Sequence, residues 1–305
     1  MILHHYELSP FSEKIRLMLG YTGMAWQSVI SPAMPPRPNV EPLAGGYRRM
    51  PVAQDGADVF CDTRLIAAEI AQRRGKPELA SAGCDPVVQD MTAYLESEIF
   101  WACIGSIPVT RTLRQLVRNF GFGGAYRFLK DRVGIARNAN TSAMSPKVAV
   151  KVFQQHLEQL ERQLEKKDFL FDVLPCVADF AAYHTLWFKR VVGELPMPEG
   201  LPRVSEWYDR MGAFGHGSCL QATAEDAFAA ATDNSPRHVP EEMTADSRIG
   251  DPVVIAPADY ALDATTGILV GCSDERWIIA RDTDQLGLVH VHFPTAGFEL
   301  TAWTP

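Results

Sequence analysis

"YRRMPVAQDGADVFCDTRLIAAEIAQRRG", residues 47–75, reads as strand, tight turn, strand and helix. Met50–Gln54 has strand character, Asp55-Gly56 is a two-residue hairpin signal, and Asp58–Cys61 returns as the next strand. Asp62-Thr63 then caps a helix from about Arg64 to Arg74, with Leu65, Ile66 and Ile70 on it, and Gly75 stops it. Pro51 is awkward at the entrance of an interior strand, because it lacks the N–H that the sheet needs. A cis Met50–Pro51 bond would answer this and turn the Met50 backbone N–H and C=O outward, free to pair with an extended peptide. A trans proline on an edge strand answers it with no ligand at all. Asp62 and the first N–H groups of its helix are suited to the two ends of a zwitterion, Asp62 on an ammonium and Thr63 on a carboxylate. The same residues also serve as a plain cap.

Upstream, Met1–Tyr6 is a short strand and "SPFSEKIR", residues 9–16, leads into a helix over Ser12–Gly20. A helix start aims free N–H groups and positive partial charge forward, which suits an anion, a thiolate included. Ser9 stands at that junction with a hydroxyl to donate, although Ser9 or Ser12 is also an ordinary N-cap residue. Trp26–Ile30 is the second strand, and Ser31–Gly46 is a Pro/Gly-rich loop with room for one helical turn. A first domain is therefore expected over residues 1–77.

Helical spacing takes over after a linker at Pro77–Pro86. Helices are expected over Val87–Trp101, Thr110–Phe120, Gly124–Arg132 and Lys147–Lys166, then through a buried run after Pro175, then over Pro202–Met211 and Thr223–Ala231. These make an all-helical domain over residues 86–231. Thr232–Arg248 is a polar linker. Beyond it the period changes to two: "PVVIAP", "GILVGCSD", "RWIIARDT", "LVHVHFP" and "FELTAW" predict a small β-barrel-like or meander domain over residues 249–305. His290 and His292 share a strand face there, but no third ligand accompanies them, so they read as solvated histidines and no metal is expected.

The chain has 305 residues, is 47% hydrophobic and carries a formal net charge of -8. That is a globular composition with no broad positive field for phosphates, which argues against nucleic-acid binding. The 6 cysteines are scattered without a CxxC pair, as expected of reduced thiols in a cytoplasmic protein. No signal peptide and no membrane span are expected.

Taken in order, Ser9-Pro10-Phe11-Ser12, Arg49-Met50-Pro51-Val52 and Asp62-Thr63-Arg64-Leu65-Ile66 resemble the glutathione S-transferase family, over roughly residues 1–220. The resemblance implies a thioredoxin-like first domain, a helical-bundle second domain, glutathione as co-substrate and a homodimer. It implies that Ser9 donates its hydroxyl to the glutathione sulfur, as a stabiliser and not a nucleophile. Met50 and Pro51 would present backbone to the cysteinyl part, Arg48 or Arg49 would meet the glycine carboxylate, and Asp62 and Thr63 would hold the γ-glutamyl end. The implied reaction is attack of the glutathione thiolate on a small apolar electrophile. A non-catalytic glutathione-binding scaffold acting through the β domain, and a glutathione-dependent isomerase or reductive lyase, are the alternatives. The absence of cysteine at Ser9 argues against thiol exchange. Counting back from the helix puts His5, one residue from Tyr6, where tyrosine-type members carry their tyrosine. Cys176-Val177-Ala178-Asp179 lacks the Ser or Thr that the family uses to cap its buried helix. The β segment lies outside the resemblance. It is a partner module, a dimer prop or a cover for the active site.

Overall fold

The computed structural model describes residues 1–140 and 144–303. The first domain runs β1 (Ile2–His5), α1 (Pro10–Thr22), β2 (Trp26–Ile30), a one-turn α2 (Glu41–Ala44), β3 (Val52–Asp55), β4 (Asp58–Cys61) and α3 (Thr63–Arg74). Parallel β1–β2 and antiparallel β1–β3 and β3–β4 pairings give the expected thioredoxin-like sheet. Helices α4 (Pro86–Tyr94) and α5 (Phe100–Ser106) are joined by a wider π-helical turn, Leu95–Ile99. Then come α6 (Val109–Asn138), α7 (Pro146–Gln163), α8 (Val177–Trp187) and α9 (Pro202–Gly212). Gly121, at φ 66°, breaks α6 between the two helices that the sequence separates.

Asp179 compensates for the weak Cys176 cap. Its buried carboxylate accepts from the Cys176 N–H at 3.0 Å, the Leu170 N–H at 2.9 Å and Trp207 Nε1 at 3.0 Å. Those donors anchor the entry to α8 without a capping hydroxyl.

The C-terminal strands form as expected, but they do not stand apart. They are β6 (Pro252–Pro257), β7 (Thr265–Cys272), β8 (Arg276–Thr283), β9 (Gly287–Pro294) and β10 (Phe298–Ala302). With β5 (Cys219–Gln221) they complete one 10-stranded sheet in the order β10-β6-β7-β8-β9-β4-β3-β1-β2-β5. The junction is a parallel pairing of β4 with β9, Asp58 opposite His290 and Phe60 opposite His292. At the other edge β5 pairs with β2, and α10 (Ala224–Thr232) packs Ala227 on Ile2 and Val29.

The period of two decides which core each strand residue enters. From β4, Phe60 faces the larger core, shared by α1, α3, α7, α8 and α9. Val59 and Cys61 face a second core, which Leu43, Tyr47 and Val52 share with Ile255, Leu269, Ile279, Val291 and Phe293 of the C-terminal strands. The solvated reading of His292 is corrected: it is 4% exposed, and its Nε2 meets Asp58 Oδ1 at 2.8 Å. His290 is half-buried, and its backbone N–H donates to the Ala57 carbonyl.

Gly45 and Gly46 let the two parts approach. A Cβ on Gly46 would stand 2.0 Å from the Ala264 carbonyl oxygen, and the neighbouring Thr265 Oγ1 donates to the Ala44 carbonyl and accepts from the Tyr47 N–H. Backbone cannot yield as a side-chain tip does, so Gly46→Ala is expected to destabilise by about 3 kcal/mol. A urea titration checks this, and an unchanged midpoint would show that the contact is loose.

Candidate functional site

Arg49, Met50, Pro51, Asp62 and Thr63 do come together, on the wall of a cleft of about 270 Å³. The cleft gathers the first turns of two helices: Phe11 from α1, and Asp62, Thr63 and Arg64 at the start of α3. Both starts bring positive partial charge to the cleft, although Pro10 has no N–H and the Ser12 and Arg64 N–H groups are capped by the Ser9 and Asp62 side chains. The Met50–Pro51 bond is cis. Asp62 has φ 76° and ψ 140°, a conformation costing a non-glycine residue about 1–3 kcal/mol, and its Oδ1 caps the Arg64 N–H at 2.9 Å. Backbone strain of this kind collects where a side chain has to be aimed at something.

Ser9 is not on that wall; Phe11, two residues on, is. Ser9 is 1% exposed, and its Oγ accepts from the Ser12 N–H at 3.1 Å as the N-cap of α1. Among the described residues no acceptor takes the Ser9 hydroxyl proton. The Ser12 hydroxyl is buried without a partner. His5 turns elsewhere, held by Ser28 Oγ at 2.8 Å and Arg16 Nη1 at 3.0 Å.

Thr63 Oγ1 lies 3.5 Å from the ammonium of Lys14, a side chain only 1% exposed that is paired with Glu96 of the π-helical turn. Lys14 thus ties the α3 cap to the helical domain. The far wall is the surprise. Asp259, Tyr260, Ala296, Gly297 and Phe298, all from the C-terminal strands and their loops, close over the cleft. Arg49 reaches across to the Asp259 carboxylate and the Tyr260 carbonyl, with its guanidinium 4.1 Å over the Tyr260 ring. Burial pushes the Tyr260 phenol up to about 12, so it stays a neutral donor. Arg48 is likewise committed, to Asp131 of α6 and Asp263.

Two aromatic residues of the helical domain, Phe100 and Trp101, also adjoin this region. Phe100 packs on Phe11 at 4.6 Å and Trp101 stands edge-on to Tyr260 at 5.3 Å. Sequence reasoning missed Glu96, Ser97 and the whole C-terminal wall, since nothing local marks Asp259 or Tyr260 as cleft residues. The described residues contain no group of three or more His, Cys, Asp and Glu placed for a metal ion. Among them, no helix is long and apolar enough to cross a membrane.

Residues 3–78 match the model of the glutathione S-transferase N-terminal domain, and residues 110–210 that of the C-terminal domain. No curated protein matches the chain. Among solved structures it is similar to a GST-like protein from Pseudomonas syringae, with 32% identity, 99% of this chain and 98% of that one covered, and a TM-score of 0.78. It is also similar to a glutathione S-transferase from Sinorhizobium meliloti, with 19% identity, 70% and 87% covered, and a TM-score of 0.48. A third is the glutathione S-transferase unclassified 2 from Bombyx mori, with 15% identity, 70% and 88% covered, and a TM-score of 0.49.

Proposed function

Because this chain belongs to the glutathione S-transferase family, we propose that its cleft binds glutathione and activates the thiol for attack on a small apolar electrophile. The observation that carries this is the convergence of two helix starts and the Met50–Pro51 backbone on one cleft. In this reading Asp62 and Thr63 hold the γ-glutamyl end, the Met50 backbone pairs with the cysteinyl part, and Ser9 donates its unclaimed proton to the sulfur. The active form is the homodimer usual in the family, working in the cytoplasm.

The energetics suffice. A free thiol titrates near 8.5, and lowering it by about two units takes roughly 2.7 kcal/mol. A charge-assisted hydrogen bond of about 1.5–3 kcal/mol with a helix start worth about 0.3–1 kcal/mol supplies that. Catalysis is then positioning plus thiolate stabilisation.

The test is the ultraviolet absorbance of the bound thiolate, followed across pH. In the natural protein the midpoint is expected well below the free thiol's. Ser9→Ala should raise it by about 1–2 units, the equivalent of one charge-assisted bond, with glutathione affinity nearly unchanged. Failure to bind glutathione sinks the reading. Binding with no thiolate signal favours the non-catalytic scaffold, for which the burial of Ser9 and its use as a cap already speak.

A further inference from the structure

Two cations line this cleft, Arg64 at the start of α3 and Arg49 beside Met50; Arg49, the one expected near the glycine carboxylate, is already engaged. Its Nη2 donates to the Asp259 carboxylate and the Tyr260 carbonyl. The engagement is one-sided, because Arg49 Nε is buried without a partner. An arginine facing a free carboxylate normally uses two N–H groups in parallel. Here a resident carboxylate holds one nitrogen and the fork is left incomplete. The Arg49 side chain is 13% exposed and that of Asp259 is 45% exposed, so the acid stands at the mouth and the base behind it. An incoming carboxylate must either displace Asp259 or sit beside it, like charge against like. The other carboxylates on the wall, Asp62 and Glu96, offer no relief.

We propose that Asp259 is a specificity-determining residue: resting on Arg49, it selects thiol peptides whose C-terminal end is neutral or cationic over those ending in a free carboxylate. Resting on the glutathione reading above, this names the preferred class as amides, esters or amine conjugates of a γ-glutamyl thiol peptide. An amide N–H or an ammonium would face Asp259 and satisfy its outer oxygen. A carboxylate there is rejected by a built-in unfavourable charge, the usual way a site discriminates against a near-identical ligand.

Calorimetric titration with glutathione and with its glycyl monoethyl ester tests this on the full chain. The natural protein is expected to bind the ester about fivefold or more tightly than the acid. Asp259→Asn should tighten the acid about tenfold and leave the ester little changed. Asp259→Ser is a second variant expected to behave alike, and Asp263→Asn, which removes a carboxylate near Arg48 instead, should match the natural protein. Tighter binding of the acid than of the ester by the natural protein would overturn the proposal. So would equal effects of Asp259→Asn and Asp263→Asn, or no discrimination in any of the proteins. If neither thiol binds to any of them, the glutathione reading itself falls, and this proposal with it.

Discussion

Deleting residues 249–305 is expected to leave a chain that is insoluble or unfolds without a cooperative transition. The C-terminal strands are part of the fold that bears the cleft. Leu43, Tyr47, Val52, Val59 and Cys61 of the first domain are buried in a core whose other half the deletion removes. Uncovering these side chains forfeits about 1.5–3 kcal/mol each, roughly 10 kcal/mol together, against a total stability of about 5–15 kcal/mol. The β4 edge would also lose its partner β9 and stand open to pairing with other chains. Charge reinforces the junction: Glu69 of α3, 1% exposed, accepts from Arg276 Nη1 at 3.1 Å and from Arg237 Nη1 at 3.0 Å. Asp58 is held by His292 and by the Arg237 N–H at 2.9 Å. Removing Arg276 and His292 leaves those buried carboxylates short of partners, which adds to the cost. Sedimentation of the expressed fragment and its melting curve decide the matter. A soluble fragment melting within a few degrees of the full chain would mean that the second core is dispensable.

The contrast between what was legible and what was not follows sequence distance. The strand–hairpin–strand–cap run of residues 50–63 was readable because turn and cap chemistry is local. The helices and C-terminal strands were readable because a period of 3.6 or 2 survives in a single chain. Partner choice between distant segments leaves no such trace. The carboxylate of Asp58, at the start of β4, finds its partner in His292, 234 residues later. Arg49 reads as a free ligand-binding cation until Asp259, 210 residues away, takes it. The far wall went unread for that reason, whereas Ser9 is off the wall for a local one, its use as the N-cap of α1. β5, of 3 residues, is too short to carry a period and exists through its pairing with β2.

Lowering the pH from 7.5 to 5 is expected to cost this fold most of its stability, with histidine and not carboxylate responsible. His4 and His156 are pushed down to about 4, and His5 and His184 to about 3, in each case mainly by burial. Their partners agree. Arg16 donates to His5 Nδ1 at 3.0 Å, so a proton there would face another N–H. His184 Nε2 and His156 Nε2 are buried with nothing to receive a proton's bond. Between the folded values and the ordinary histidine value of about 6.5, the unfolded chain binds protons that the folded chain refuses, so stability rises with pH throughout that window. At pH 5 each such histidine costs about 2 kcal/mol, and the four together roughly 8 kcal/mol. Carboxylates act lower: despite partial burial, hydrogen bonds from Arg73 and Arg237 hold Asp55 down at about 2, so its contribution persists until pH falls below the ordinary carboxylate range. The melting temperature should therefore be level above pH 7 and fall by about 12 °C by pH 5. His156→Gln should shallow that slope by about one proton. A melting temperature flat from pH 7.5 to 5 would mean that these imidazoles are hydrated or charged in the fold.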